Sequence, residues 1–321
     1  MNRKPLLSLE NLKVYYYTDE GVVKAVDSVS FNMDRGETVG LVGESGSGKS
    51  TLGLSILRLI PPPGKIVGGK VFFDGIDLTA LSEDEMRKVR GKRIGMVFQD
   101  PMTSLNPLMK VGDHIVETIV SHEGVPREKA VERACSLLED VGILPERFND
   151  YPHQLSGGMR QRIMIALALC LKPDLVIADE PTSALDVIVQ YQILELMRKL
   201  KQVYGMGLIL ITHDVSIVAE VADRIAIMYA GQLVEYSDVN SFFNSPLHPY
   251  SEALLESIPN IQLSDQKLKY IPGIPPSLIN PPKGCRFHVR CPYAEHRCGE
   301  VEPQTVEFER GRFVKCFRYV E

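Results

Sequence analysis

Two features are missing from this sequence: a long apolar run and an excess of positive charge. The longest uninterrupted apolar stretch, 163–171, is far shorter than the roughly 20 residues of a membrane-spanning helix. The N-terminal residues lack the apolar core of a secretion signal, so we expect a cytoplasmic protein. Lysine and arginine number 36 against 41 acidic residues, which argues against nucleic acid or a lipid surface as the main partner. Any membrane process would need spanning helices from other chains.

Cysteine is scarce over most of the chain and concentrated near its end. Cys135 and Cys170 stand alone in helical patterns and are expected in the core. The others are Cys285, Cys291, Cys298 and Cys316. In a cytosolic chain such a group favours a metal over disulfide bonds. Its spacing lacks the close C-x₂₋₄-C pairs of structural zinc sites, which favours a [4Fe–4S] cluster, with zinc or no metal as alternatives.

A glycine-rich segment matches the phosphate-binding pattern G-x-x-x-x-G-K-[ST]. It comprises Gly43, Glu44, Ser45, Gly46, Ser47, Gly48, Lys49, Ser50 and Thr51. The glycines let backbone N–H groups turn toward an anion, Lys49 adds a charge for the β- and γ-phosphates, and the Ser50 hydroxyl can ligate Mg²⁺. The flanking residues predict a strand over 37–42 and a helix over 51–60, whose N-terminal end would face the phosphates.

Polar residues also follow three predicted buried strands. Gln99 follows the first, Asp179 and Glu180 end the second, and His213 follows the third. Ligands of open α/β sheets bind at the carboxyl ends of parallel strands, so these residues are placed to reach one. Adjacent residues of a strand point to opposite faces, so one carboxylate can serve a metal while its neighbour faces the substrate. A single histidine is more often structural, but at the carboxyl end of a parallel strand a structural and a ligand-binding role are about equally frequent.

A second glycine-rich helix start lies at 155–162. Ser156 is a natural N-cap, and Gly157 and Gly158 leave backbone N–H groups bare, which predicts a second anion site. One loop wraps only one side of a triphosphate. The sequence therefore raises the question of whose phosphate this second site meets.

The first part of the chain predicts strands and the middle predicts helices. The predicted strands are 14–17, 22–26 and 29–31, with a turn at 19–21. Tyr15 to Tyr17 precede the turn, where an aromatic ring could stack on a nucleobase, although tyrosine is also a common strand residue. Residues 101–155 predict a helical subdomain, with one helix that opens with Pro126 as its first residue and stops at Gly142.

In this order the motifs resemble those of the ATP-binding subunit of an ABC transporter, over residues 6 to about 235. The matches are 43–51 with the Walker A loop, Gln99 with the Q-loop, 155–161 with the family signature, 175–179 with Walker B, Glu180 with its general base, 183–186 with the D-loop and His213 with the switch histidine. The signature is the most specific, since ordinary phosphate-loop enzymes lack it.

The resemblance implies a RecA-like α/β P-loop NTPase core with an antiparallel β subdomain and an α-helical subdomain. It predicts a nucleotide-binding domain over 1–235, with the helical subdomain at about 101–165, and an irregular cysteine-containing extension over 236–321. Two such domains pair head to tail, and each ATP lies between one Walker A loop and the other subunit's signature. This answers the question of the second anion site, which would meet a partner's nucleotide.

The resemblance also assigns roles to residues. The catalytic residues would be Lys49, Gln99, Glu180 and His213; Mg²⁺ would be held by Ser50, Gln99 and Asp179; the partner's nucleotide would be contacted by Ser156, Gly157, Gly158, Gln161 and Asp186. Tyr17 is the best match to the aromatic that stacks on adenine, although Tyr15 and Tyr16 leave the register open.

The last part of the chain resembles the C-terminal extension of the oligopeptide/dipeptide subfamily of ABC importers. The matching segments are 246–250, 271–273, 275–276, 284–287 and 290–292, with a departure at 288–290, where Pro-Arg is more usual. The subfamily can carry a [4Fe–4S] cluster on four cysteines here, with a structural role. It also implies a second ATPase subunit, two permease subunits and an extracellular binding protein, with this chain peripheral at the cytoplasmic face of the membrane.

Peptide is the leading cargo, while relatives that move nickel or oligosaccharides keep those cargoes open. A soluble ABC-type ATPase of DNA repair or translation is a second hypothesis, but no coiled-coil, zinc-module or tandem-domain insertion is visible. A regulatory module that only senses ATP is a third. The presence of both Glu180 and His213 argues against it.

Overall fold

The computed structural model describes residues 4–183, 185–258 and 271–320. The chain divides into two compact units: unit 1 comprises Met1–Ala80 and Leu210–Glu321, and unit 2 comprises Leu81–Ile209. Within the described ranges, no helix combines the length and the apolar character needed to span a membrane.

The described part of the chain alternates strands and helices. The strands are β1 (Leu7–Thr18), β2 (Gly21–Met33), β3 (Thr38–Val42), β4 (Gly64–Phe73), β5 (Ile76–Asp77), β6 (Ile94–Val97), β7 (Leu175–Asp179), β8 (Gly207–Thr212), β9 (Arg224–Tyr229), β10 (Gln232–Asp238), β11 (Val306–Glu309) and β12 (Arg312–Val314). The α-helices are α1 (Lys49–Ile56), α2 (Glu83–Val89), α3 (Pro101–Ser104), α4 (Val111–Glu123), α5 (Arg127–Asp140), α6 (Gly157–Leu169), α7 (Val187–Tyr204), α8 (Val215–Val221), α9 (Val239–Asn244), α10 (Pro249–Glu256) and α11 (His296–Glu300).

Unit 1 contains an antiparallel sheet in the order β2-β1-β4-β5. The predicted hairpin around 19–21 is confirmed, because β1 ends at Thr18 and pairs there with Gly21. The predicted break in the second strand is wrong, since β2 runs unbroken through Ser28. Leu12 pairs with Val29 and Val14 with Val26, so β2 carries one extra residue as a bulge, which a period-2 pattern reads as an interruption.

The other strands of unit 1 include β3 parallel to β9, with β10 and β12 following antiparallel on the far side of β9. β12 pairs with β10 through Glu235 and Val314. The core beside these strands contains Tyr229 together with Tyr250 and Phe287, all of them buried. Residues before and after 235 therefore share one core, and the domain boundary at 235 stays a prediction.

The predicted end of the first helix is wrong. α1 ends at Ile56, although no proline lies between Lys49 and Pro61. Arg58 adopts a left-handed backbone with φ 53°, which ends the helix as a glycine usually would. The next strand, β4, begins at Gly64.

Unit 2 contains the parallel pair β6 and β7, with Val97 opposite Ala178, and the start of β8, whose last residues belong to unit 1. The predicted helical block is confirmed as α3, α4, α5 and two short 3₁₀ helices. α5 begins one residue later than predicted, because Pro126 is its N-cap. Ser82 caps α2 through a capping box with Glu85.

Candidate active site

The loop after β3 packs closely against the backbone of β2 and β9 at two glycines. A Cβ on Gly43 would overlap the carbonyl oxygen of Met228, and one on Gly48 would overlap that of Ala25. Gly48 also has φ 99°, a left-handed backbone that favours glycine. Both glycines of the phosphate-binding pattern are therefore required by the loop's close approach to β2 and β9.

The Lys49 ammonium lies inside this loop. Its Nζ donates to the carbonyl oxygens of Gly43 at 2.7 Å and Glu44 at 2.9 Å, and only 5% of the residue is exposed. Lys49 is the first residue of α1, and the first N–H groups of a helix have no acceptor within it. Ser45 and Gly46 are exposed at the tip. Together these groups can bind an anion at the start of α1.

Glu44 connects this loop to the C-terminal part of unit 1. Its backbone N–H donates to Tyr250 Oη at 2.9 Å, and its carboxylate accepts two hydrogen bonds from Arg290. Sequence reasoning gave Tyr250 and Arg290 no role. The sequence feature that could have identified them is their place in segments that match the subfamily: Tyr250 ends the segment 246–250, and Arg290 begins the segment 290–292.

The three adjacent tyrosines differ in their surroundings. Tyr15 donates to Asp27 at 2.8 Å, and burial together with this bond raises the pKa of Tyr15 to about 12. The Tyr16 hydroxyl lies 3.4 Å from Thr51 Oγ1. Tyr17 is 49% exposed. Of the three, Tyr17 thus offers the most surface to a base, and its stacking role stays a prediction.

Two predicted catalytic residues of unit 2 lie side by side. Gln99 Nε2 donates to Glu180 Oε2 at 3.1 Å, because β6 and β7 are adjacent parallel strands that end at the same edge. Asp179, the last residue of β7, is 5% exposed. At the end of β7, the buried carboxylate of Asp179 is therefore followed by the half-exposed carboxylate of Glu180, which lies beside the exposed amide of Gln99.

Glu180 has a strained backbone. Its φ is 44°, a left-handed conformation that costs about 1–3 kcal/mol in a residue with a side chain. The Glu180 carbonyl accepts hydrogen bonds from the backbone N–H and the hydroxyl of Ser183, at 3.3 and 3.1 Å, which support the turn. Such strain is typical of functional sites.

The second glycine-rich segment starts α6, as predicted. Ser156 is the N-cap and accepts from the backbone N–H of Met159 at 3.3 Å. A Cβ on Gly158 would lie 2.6 Å from Val189 Cγ1 in the first turn of α7. Asp186 caps α7 by accepting from the backbone N–H groups of residues 188 and 189. The signature and the end of the D-loop are thus neighbours in unit 2.

Two other predicted site residues differ in exposure. Gln161 is 3% exposed, and its Nε2 has no hydrogen-bond partner in the described residues. His213 is exposed directly after β8, where Asp214 caps α8. Ala184 of the D-loop match lies outside the described residues.

The four C-terminal cysteines line one small pocket of unit 1, together with residues that include His248 and Phe287. A Cβ on Gly284 would overlap the Cys298 carbonyl oxygen, which accepts from the Cys285 N–H at 2.8 Å. Burial raises the pKa of the Cys285 thiol to about 11. Even so, within the described ranges no three His, Cys, Asp or Glu side chains are grouped as they would be around one metal ion.

His248 lies at this pocket with one unpaired nitrogen. Its Nδ1 accepts from the Tyr250 N–H at 3.0 Å, while Nε2 is buried without a partner among the described residues. Burial lowers the pKa of His248 to about 3. The ring is therefore neutral, and its proton is on Nε2.

Two family models match the chain. The model described as ABC transporter matches residues 26–183, and the model described as Oligopeptide/dipeptide transporter, C-terminal region, matches residues 234–298. The first covers the phosphate loop, Gln99, the signature, Asp179 and Glu180. The second includes Tyr250, Arg290 and three of the four clustered cysteines.

Curated relatives are similar over almost their whole length. The oligopeptide transport ATP-binding protein OppD of Bacillus subtilis is 52% identical over 97% of this chain and 88% of that protein. The dipeptide transport ATP-binding protein DppD of Escherichia coli is 47% identical over 97% of this chain and 96% of that protein.

Solved structures share the fold. A dimeric ATP-binding cassette in a post-hydrolysis state, bound to ADP and phosphate, superposes with a TM-score of 0.66 and 32% identity, over 73% of this chain and 98% of that one. CbiO1 of Clostridium perfringens, part of an ABC transporter complex, superposes with a TM-score of 0.66 and 28% identity, over 76% of this chain and 92% of that one.

Proposed function

Because this chain belongs to the family of ATP-binding subunits of ABC transporters, we propose that its ATP hydrolysis powers peptide import through a membrane transporter. The observation that carries the catalytic part is the contact between Gln99 and Glu180, directly after Asp179. It provides a fixed carboxylate at a strand end, as a general base for water requires. The peptide cargo is supported by the names of the relatives and by the second family match.

In the proposed mechanism, phosphoryl transfer depends on positioning and charge neutralisation. Lys49 and the N–H groups of the loop bind the phosphates. Glu180 orients and deprotonates the attacking water, and His213 braces the γ-phosphate. The hydroxyl of Ser50, the amide of Gln99 and the carboxylate of Asp179 are the oxygen donors that Mg²⁺ prefers, and Mg²⁺ would supply charge neutralisation there.

A second ATPase subunit would complete the site. We propose that Ser156, Gly157, Gly158, Gln161 and Asp186 face the partner's nucleotide. The adjacency of the signature and the D-loop in unit 2 supports this role, because both then lie on one surface. One of the similar solved cassettes is dimeric.

Unit 2 also offers a surface for a permease subunit. The groove beside α4 includes Leu108, which is 86% exposed, Tyr151 and the charged residues Lys110 and Asp113. A mixed apolar and charged groove of this kind fits a cytoplasmic segment of a membrane protein. We propose that the chain binds one permease subunit here, at the cytoplasmic face of the membrane. The complete complex would contain a second ATPase subunit and a second permease, and it would receive cargo from an extracellular binding protein.

Reconstitution of the complete transporter in vesicles tests the function. We expect ATP-dependent uptake of a labelled oligopeptide, and ATPase activity that increases with the peptide-loaded binding protein. Equal uptake with Glu180→Gln would contradict the proposed motor. Uptake of nickel or an oligosaccharide without peptide would contradict the cargo but leave the motor in place.

For the cysteine pocket we propose a [4Fe–4S] cluster, with zinc as the alternative. The fit rests on four thiols around one pocket and on the His248 Nε2–H, which lacks a partner among the described residues and would suit a sulfur acceptor. The same proton on Nε2 prevents that nitrogen from being a metal ligand. Bound as proposed, the cluster would hold this part of unit 1 together.

Anaerobic purification with iron, acid-labile sulfide and zinc analysis tests the pocket. We expect iron and sulfide in equal amounts with visible absorbance, which Cys316→Ser removes and the control Cys170→Ser retains. Zinc in place of iron would select the alternative. A protein with neither metal, prepared without oxygen, would contradict the proposal.

A further inference from the structure

Among the described residues, the phosphate loop forms hydrogen bonds with two residues that lie more than 200 positions later in the chain, both within unit 1. The Glu44 N–H donates to Tyr250 Oη at 2.9 Å. The Arg290 guanidinium donates to both Glu44 carboxylate oxygens, at 2.8 and 3.0 Å. Two parallel bonds from a planar fork fix the carboxylate in direction as well as in distance.

Arg290 is itself held rigidly. Its Nε donates to the Pro272 carbonyl at 2.8 Å, and its Nη atoms reach Tyr229 Oη at 3.2 Å and the Ile271 carbonyl at 3.3 Å. The side chain of Arg290 is 5% exposed, and that of Glu44 is 26% exposed. Most of the guanidinium donors are thus already used before a nucleotide binds, and the pair has little freedom to reorient.

Glu44 is also the point at which the loop closes on itself. Its carbonyl oxygen accepts from Lys49 Nζ at 2.9 Å and from the Ser47 N–H at 3.1 Å. The N–H, the side chain and the carbonyl of this one residue therefore join the loop interior to the C-terminal part of unit 1. Without its distal contacts, Glu44 could rotate, and the loop would have to be ordered again when ATP binds.

We propose that Arg290 is a positioning residue for ATP binding: through Glu44 it holds the phosphate loop in the shape that accepts the polyphosphate. The C-terminal extension then takes part in nucleotide binding. This role is independent of the cargo.

MgATP affinity of the purified full-length chain tests the proposal, measured by equilibrium dialysis. We expect Arg290→Gln to raise Kd about tenfold, which corresponds to ~1.4 kcal/mol. In steady-state hydrolysis KM should rise while kcat changes less than about threefold, because the reacting groups are untouched. Arg290→Lys keeps the charge but not the fork, so its Kd should lie between those of the parent and Arg290→Gln.

Arg312→Gln is the matched control. Arg312 is also buried in unit 1, donates to Glu309 and to the Ser245 carbonyl, and has no hydrogen bond to the loop among those described. We expect it to lower the melting temperature but to leave the MgATP Kd within about twofold of the parent value. An equal loss of affinity in both variants would mean that Arg290 only stabilises the fold, which overturns the proposal.

A double-mutant cycle gives the decisive result. If Arg290 acts through Glu44, Arg290→Gln should have little further effect on Kd in a Glu44→Gln background. Additive effects would overturn the proposal, as would parental affinity in Arg290→Gln. If Arg290→Gln does not fold, the variants Arg290→Lys and Glu44→Gln test the proposal instead. A MgATP Kd equal to that of the parent in both of them would overturn it.

Discussion

Gln99 and Glu180 are joined by a hydrogen bond of 3.1 Å between the ends of two adjacent parallel strands. The bond holds the Glu180 carboxylate directly after β7, where the backbone enters a strained turn. A base must be fixed in direction to act on a water molecule. The pairing of β6 with β7 thus positions the Glu180 side chain. The local sequence specifies which residue is there but not where its side chain lies.

The first prediction concerns Glu180→Gln. The amide keeps the size of the side chain but cannot accept a proton, so we expect kcat for ATP to fall by about 10²–10⁴-fold. The MgATP Kd should stay within about threefold, since the loop is unchanged. Single-turnover hydrolysis and equilibrium binding measure the two effects. Parental hydrolysis would remove Glu180 from the role of base.

The second prediction concerns Lys49→Ala. Its ammonium already sits among the loop carbonyls and would transfer to the phosphates. Hydrogen bonds to charged groups contribute about 1.5–3 kcal/mol, so the MgATP Kd should rise about tenfold or more. Lys70→Ala is the control: that lysine is exposed on β4 near Asp77, and its loss should leave Kd unchanged. Equal values for both variants would contradict the role of Lys49.

The third prediction compares two adjacent glycines. A Cβ at Gly158 meets Val189 at 2.6 Å, whereas one at Gly157 meets Leu185 at an ordinary 3.5 Å. Gly158→Ala should therefore cost about 1–3 kcal/mol of unfolding free energy through overpacking, and Gly157→Ala much less. Urea melts measure both. Val189→Ala should restore part of the loss, and its failure to do so would place the strain elsewhere.

The fourth prediction concerns pH. Burial raises the pKa of the Cys170 thiol to about 12, so the native protein keeps this thiol protonated when the unfolded chain has lost its proton. The contribution to stability is full below the unfolded pKa of about 9 and is lost as pH rises from there toward 12. We therefore expect the free energy of unfolding, measured by urea melts, to decrease less between pH 8 and pH 10.5 for Cys170→Ala than for the parent. An identical loss would contradict the raised pKa.

Local pattern predicted the elements that carry the site. The phosphate loop, the N-cap at Ser156 and the carboxylates after β7 follow from turn chemistry and from apolar runs of five to six residues, which need no distant partner. The ABC fold class and the ATPase family were likewise identified from the order of these motifs. Each single motif depends on neighbours within a few positions along the chain.

What the sequence did not predict depends on distant or unusual backbone contacts. The end of α1 is set by an arginine with a left-handed backbone, a conformation that residue type does not favour. The pairing of β12 with β10, and the contact of Arg290 with Glu44, join residues far apart in the chain. Periodicity carries no information about such partners.

The late position of Tyr250 and Arg290 has a consequence for biosynthesis. A ribosome completes residues 43–51 long before it adds the two side chains that hold Glu44, which lie 206 and 246 positions further on. A growing or prematurely ended polypeptide therefore has the phosphate-binding segment without its supports. If Arg290 positions the loop as proposed, a chain that ends before these residues binds ATP more weakly than the finished chain does.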